Sequence, residues 1–203
     1  MYICKMEYLQ EHWLEWFGVI TGLLYLYLEI KQYPIMWIVG FVTSFVYIIV
    51  YLQAKFYAYG FLNIYYVIIS VYGFWLWVRK TNPNKQQDAF APFFQHISRR
   101  LSLVLFLLAT VLSGAIYYVL LKFTDSVMPL AEAVATSLSI VATWMVAKRF
   151  LEHWFVWVIV NIISVGMFVI QGMYPTVLLF FCYVFLSSIG YFEWKKFNNQ
   201  EVQ

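Results

Sequence analysis

Charge is scarce in this chain. Asp, Glu, Lys and Arg make up 11% of its 203 residues, against about 25% in a soluble domain. Hydrophobic residues make up 64%, and the mean hydropathy is +0.74. So much apolar surface cannot be hidden from water in a domain of this size. Soluble α/β, disordered and collagen-like classes are excluded, and an integral membrane protein in contact with the lipid bilayer is implied. Cysteine is equally sparse. Cys4 and Cys182 are the two in the chain, and no disulfide framework, zinc site or CxxC motif can be built from them. Phosphate-binding loops, HExxH and GxSxG are missing, and no carboxylate pair falls at the centre of an apolar run. The chain therefore reads as no enzyme, with no cofactor and no metal. The net charge is +3. Its cations lie in short connecting segments rather than on one face, which argues against a nucleic-acid partner. Glu7, Glu11 and Glu15 stand where a signal peptide would be basic, so none is expected.

Long apolar runs are present instead. A helix needs about 20 apolar residues to cross the hydrocarbon, and seven segments qualify as spans. They are Leu14 to Ile30, Pro34 to Leu52, Phe56 to Val78, Leu101 to Leu121, Val127 to Ala147, and two in the charge-free stretch Trp154 to Phe192. Gln171-Gly172 and Pro175 divide that last stretch. A polar segment, Arg79 to Arg100, carries the turn signal Asn82-Pro83-Asn84. Lys31, Arg79, Lys80, Lys85, Arg99, Arg100, Lys148, Arg149, Lys195 and Lys196 fall on one side of the membrane. Lys5, Lys55 and Lys122 fall on the other. The positive-inside rule then puts the C-terminus in the cytoplasm and the N-terminus outside.

An internal repeat emerges at an offset of 117 residues. Trp37 aligns with Trp154, Val39 with Val156, Tyr57 with Tyr174, Leu62 with Leu179 and Tyr66 with Tyr183. Val67 aligns with Val184, Ser70 with Ser187, Gly73 with Gly190 and Trp77 with Trp194. The expected architecture is one all-α membrane domain, residues 1–203. It comprises two parallel three-helix copies, residues 13–80 and 127–197, joined by a linker helix, residues 101–121. A ligand site belongs near the midplane at the seam between such copies.

Polar side chains in hydrocarbon are costly and face the bundle interior. Trp154, Trp157, Asn161, Ser164, Phe168 and Gln171 follow one another at three- and four-residue steps, on one helix face. Trp37, Ser44 and Tyr47 occupy the equivalent face of the second span, and Asn63 and Tyr66 that of the third. These eleven residues are the candidate substrate-binding set. Ser70, Gly73, Ser187 and Gly190 read as small residues for close helix packing. Trp75, Trp77, Phe192 and Trp194 read as an interfacial aromatic belt. His12, His96 and His153 lie near membrane edges and read as solvated. Glu29 and Glu193 read as local partners of Lys31 and Lys195. With no acid evident at a span centre, passive transport is expected.

Several of these segments together resemble the Pnu vitamin transporters of PnuC type. They are Val39-Gly40-Phe41, Gln53-Ala54-Lys55-Phe56-Tyr57-Ala58, Asn63-Ile64-Tyr65-Tyr66 and Val71-Tyr72-Gly73-Phe74-Trp75. The second half adds Leu138-Ser139-Ile140-Val141-Ala142, then Trp154, Trp157, Asn161, Ser164 and Gln171-Gly172-Met173-Tyr174. The resemblance runs from Trp13 to Lys196. It implies a three-plus-one-plus-three fold like that of the SWEET sugar transporters. It also implies facilitated diffusion of a vitamin precursor, nicotinamide riboside or thiamine, trapped by cytosolic phosphorylation in a bacterial inner membrane. Trp154, Trp157, Asn161 and Gln171 match residues the family uses for binding. Asn63 stands where the family often has Gln. Thr43-Ser44 and Tyr65-Tyr66 look more like thiamine-type members. Both vitamins are flat cations, suited to an aromatic cage. A phosphorylated substrate would need Arg or Lys in the seam, where the spans offer none. A SWEET-like carrier of neutral sugars, or another membrane protein that does not transport vitamins, is the alternative. Association into a homo-oligomer is left open.

Overall fold

The computed structural model describes residues 13–79 and 95–200. The Asn82-Pro83-Asn84 turn, Cys4, Lys5, His12, Lys80 and Lys85 lie outside these residues. Seven helices follow one another: α1 Trp13–Ile30, α2 Met36–Gln53, α3 Tyr57–Arg79, α4 Arg99–Phe123, α5 Pro129–Ala147, α6 His153–Gln171 and α7 Tyr174–Gln200. Among the described residues there is no strand, only an isolated bridge between Gln95 and Phe150. Among the described residues six helices, α2 to α7, are long and apolar enough to cross a membrane. The seventh, α1, carries a shorter apolar stretch, Trp16–Ile30. At 1.5 Å per residue this is roughly 22 Å.

Local chemistry fixes where the helices stop. Gln32, Lys55, Arg149 and Gly172 all adopt positive φ, between 59° and 76°. Each terminates a helix with the same pair of bonds. Tyr33 N donates to Leu28 O (2.9 Å), Phe56 N to Tyr51 O (2.9 Å), Phe150 N to Met145 O (3.0 Å) and Met173 N to Phe168 O (3.1 Å). The left-handed residue in each case donates three residues back. This is the Schellman closure, which satisfies carbonyls otherwise orphaned at a helix end. Pro129 opens α5 in its first turn, where a missing N–H costs nothing. Ser98 caps α4 by accepting from Leu101 N at 3.3 Å.

Six helices form a closed ring. In order around it, α1 packs on α2, α2 on α3, α3 on α5, α5 on α6, α6 on α7, and α7 returns to α1. Helix α4 lies outside the ring, mainly against α5. Its Leu105 and Ala109 join Val141, Met145 and Phe150 in an apolar cluster. Its remaining faces are exposed, with Leu103, Phe106 and Val111 each more than half accessible, as suits a surface for lipid.

Two tryptophans set the closest helix approaches. Trp37 on α2 lies on Gly73 of α3, and Trp154 on α6 lies on Gly190 of α7. A Cβ at either glycine would come within 2.4 Å of the indole. Trp77 meets Trp37 edge-on at 5.8 Å and Trp194 meets Trp154 edge-on at 5.5 Å. Trp77 and Trp194, expected in an interfacial belt, are 1% and 0% exposed. Each indole N–H instead reaches across to another helix. Trp77 donates to Ala147 O at 3.4 Å and Trp194 to Glu29 O at 3.3 Å. Burial without a hydrogen bond would leave the N–H a cost.

The opposite end of the bundle is tied differently. Glu132 of α5 is fully buried. It accepts from Tyr59 N at 3.2 Å and from Ser126 Oγ at 2.7 Å. The carboxylate thus caps the first turn of α3, where backbone N–H groups lack helical partners. At the surface nearby, Asp125 accepts from Lys55 Nζ and Tyr57 OH. These contacts hold the Asp125 carboxyl below its usual range and the Lys55 ammonium above its own.

Gly190→Ala is expected to destabilise the protein by about 1–3 kcal/mol, the range for overpacking a close contact. Gly114→Ala, where an added Cβ meets nothing within 4 Å, should be neutral or mildly stabilising. Thermal unfolding in detergent measures both. Equal melting temperatures for the two variants would contradict the close approach at Gly190.

Candidate functional site: an aromatic cavity inside the helix ring

The ring encloses a cavity of about 140 Å³. At about 30 Å³ per water, this is room for about five. All six ring helices line it and α4 does not. Helix α2 supplies Gly40, Thr43, Ser44, Tyr47 and Tyr51, and α3 supplies Tyr59, Asn63, Tyr66 and Ser70. From the second half come Ser139 and Thr143 on α5, Trp157 and Asn161 on α6, and Phe180, Tyr183 and Ser187 on α7. The wall is therefore aromatic rings interspersed with hydroxyls and two amides. This is the usual make-up of a site that holds a flat organic ligand and orients it by a few polar contacts.

Six candidate residues meet in this wall: Ser44, Tyr47, Asn63, Tyr66, Trp157 and Asn161. Asn161 is 1% exposed. Its amide nitrogen donates to Ser187 Oγ at 3.4 Å, while its Oδ1 has no hydrogen-bond partner. Asn63 is anchored, donating to Tyr59 O at 2.8 Å.

The structure places the other five candidates elsewhere. Trp37 and Trp154 are spent on the glycine contacts. Ser164 donates to Val160 O at 2.8 Å and pairs with the Tyr59 hydroxyl at 2.6 Å. Phe168 stacks on Tyr51, centroids 5.6 Å apart and planes 11° apart, with Phe56 and Tyr59 edge-on to it. Gln171 donates to Ala54 O at 3.2 Å, linking the ends of α6 and α2. Phe168 and Gln171 thus close one end of the ring rather than line its interior.

Other cavity residues escaped the sequence reading. Gly22, Tyr25, Leu26 and Glu29 of α1 line the wall at steps of three, one and three, a face that periodicity alone would have marked. Ser139 and Thr143, four apart on α5, carry the same signal. Ser70 and Ser187, assigned to packing, face the cavity as well. Two ionisable residues need correction. Glu29 is not a surface partner of Lys31; it is 2% exposed. His153 is not solvated; it is 0% exposed, with Nε2 3.4 Å from Glu29 Oε1. The two side chains meet beside the Trp154–Trp194 pair, with the His153 ring 4.5 Å from Trp154 and 4.9 Å from Trp194.

A ring of long apolar helices around an aromatic cavity with a few polar groups is the architecture of a multi-pass membrane protein. Residues 12–196 match the family described as nicotinamide mononucleotide transporter, and the chain belongs to that family of membrane transporters. It is 25% identical over 202 residues to the nicotinamide riboside transporter PnuC of Escherichia coli (strain K12), covering 90% of this chain and 84% of that one. The protein of the same name from Neisseria mucosa is 24% identical over 193 residues, covering 92% and 73%. A crystal structure of the vitamin B3 transporter PnuC superposes with a TM-score of 0.80 at 22% identity, covering 98% of this chain and 87% of that one. The fold is shared with that structure. These relatives are transporters, as the missing catalytic motifs suggested.

Cysteine scanning reads the wall directly. With Cys4 and Cys182 replaced, Ser139→Cys and Thr143→Cys should react with a small permeant thiol reagent. Ser137→Cys, on the same helix and buried outside the cavity, should not. Equal labelling of all three would refute the assigned wall.

Proposed function

We propose that this chain carries unphosphorylated nicotinamide riboside across a bacterial inner membrane by facilitated diffusion, with cytosolic phosphorylation trapping the product. The observation that carries the reading is Asn161: a buried amide oxygen without a partner, in an aromatic chamber. An unpaired buried acceptor costs about 1–3 kcal/mol, and a carboxamide N–H or ribose hydroxyl of the riboside would satisfy it. Trp157 and the tyrosines present π faces to the pyridinium, worth roughly 0.5–2 kcal/mol per contact. The family description names the mononucleotide, whereas the relatives are named for the riboside. The cavity favours the riboside, because no Lys or Arg is among its lining residues to meet a phosphate.

The three-plus-one-plus-three repeat is the architecture proposed for this function. Its support is that the four left-handed residues pair at the sequence offset, Gln32 with Arg149 and Lys55 with Gly172. So do the two tryptophan–glycine contacts. The ring order, with α4 outside, is what two copies and a linker would produce. The cation distribution supports a cytoplasmic C-terminus. A reporter after Gln203 should be cytoplasmic and one before Met1 external; both on one side would overturn the parallel repeat.

Calorimetry on the purified protein tests the ligand. Nicotinamide riboside should bind, the mononucleotide should bind at least tenfold more weakly, and thiamine serves as the second flat cation. Asn161→Ala should weaken riboside binding about 5- to 150-fold, a 1–3 kcal/mol loss. Trp154→Ala should instead lower stability through the cavity it leaves. If Asn161→Ala folds normally and binds like wild type, the amide is helix–helix glue and the site lies elsewhere.

A further inference from the structure

Among the described residues lining the cavity, Glu29 is the one carboxylate, and none is Lys, Arg or His. Its backbone is occupied, since Glu29 O accepts from Trp194 Nε1 and from Gln32 N. Its side chain is not. Oε1 is buried without a hydrogen bond, and so is Nε2 of His153, 3.4 Å away. The two atoms lie within ion-pair distance but are not aligned as a hydrogen bond. Other cations at this end of the ring are engaged elsewhere: Lys148 Nζ donates to the Tyr72 hydroxyl at 3.3 Å, and the Arg149 guanidinium lies 4.3 Å over the Trp77 ring. Lys31 is exposed. The remaining titratable neighbours in the wall are phenols, Tyr25 on α1, Tyr66 on α3 and Tyr183 on α7.

Packing does not require an acid here. At the 117-residue offset Glu29 corresponds to Val146, and His153 to Met36. Val146 and Met36 are 1% and 0% exposed in one apolar cluster. The fold thus accepts an apolar pair at one pair of positions and has an acid and an imidazole at the other. A buried carboxylate is expensive unless a positive group meets it. We propose that Glu29 is the counter-charge that reads the positive charge of the transported ligand, the cationic ring replacing His153 as partner of its carboxylate. This rests on the proposed riboside site and adds the residue that makes that site selective for a cation.

The experiment compares nicotinamide riboside with its 1,4-dihydro form. The two differ by a hydride, and only the first is charged. Binding is measured calorimetrically on the purified full chain. Wild type should bind the cation at least about tenfold more tightly than the neutral form, since a charge pair in a partly dry site far exceeds one in water. Glu29→Gln should bring the two affinities together by weakening the cation alone. Glu29→Asp, which keeps the charge on a shorter arm, should retain a preference for the cation. Equal loss for both ligands in Glu29→Gln would make the residue structural and overturn the proposal. So would equal affinities in wild type, which decide the matter even if Glu29→Gln does not fold. If wild type binds neither riboside, the proposed substrate itself has failed.

Discussion

The fold depends on two indoles lying flat against bare backbone. Trp37 on Gly73 and Trp154 on Gly190 let α2 meet α3, and α6 meet α7, with no side chain between. In a bilayer there is no hydrophobic gain from pressing helices together, so close van der Waals packing and small residues must do it. The same two contacts position Trp77 and Trp194, whose N–H groups then cross to α5 and α1. Those crossings complete the ring. The cavity is the space left inside once the six helices are held by these contacts at one end and by Glu132 and Gln171 at the other.

Much of this was legible in the sequence because membrane helices announce themselves through continuous apolar runs. The span boundaries agree with the observed helices to within two residues, except that α7 continues eight residues past Phe192, and the offset of 117 links turns that share one closure. The site was harder to read. The α6 stripe from Trp154 to Gln171 faces inward along its whole length, but the chamber occupies only its middle. Trp157 and Asn161 line it, while the upper and lower parts of the same face are filled by neighbouring side chains. Periodicity gives direction around a helix and says nothing about depth along it. Glu29 was missed for a different reason. Two residues from Lys31, it reads as half of a surface pair, and only the approach of α6, more than a hundred residues away, buries it against His153.

The polar atoms of the chamber wall divide into two sets. Asn63 is held by its own helix and the Tyr59 hydroxyl by Ser164, while Asn161 Oδ1 and Glu29 Oε1 are buried without a hydrogen bond. The indole N–H groups of Trp37 and Trp154 also lack a hydrogen bond, but they lie outside the chamber wall. A polar atom without a partner in hydrocarbon is costly wherever it lies, and it can meet a ligand only where it also lines the chamber.

The two ends of the ring would resist opening in different ways. At the tryptophan end, two indole N–H groups point at carbonyls, and a displacement of about an ångström takes such a bond beyond useful geometry. At the other end, the parallel faces of Tyr51 and Phe168 form the seal, with one amide bond from Gln171 beside it. Offset rings tolerate sliding because dispersion is summed over many weak contacts and is not directional. One end therefore behaves as a latch that is either made or broken. The other combines plates whose friction rises and falls gradually with the directional bonds of Gln171 and Glu132, so only motion that spares those bonds can begin there without a threshold.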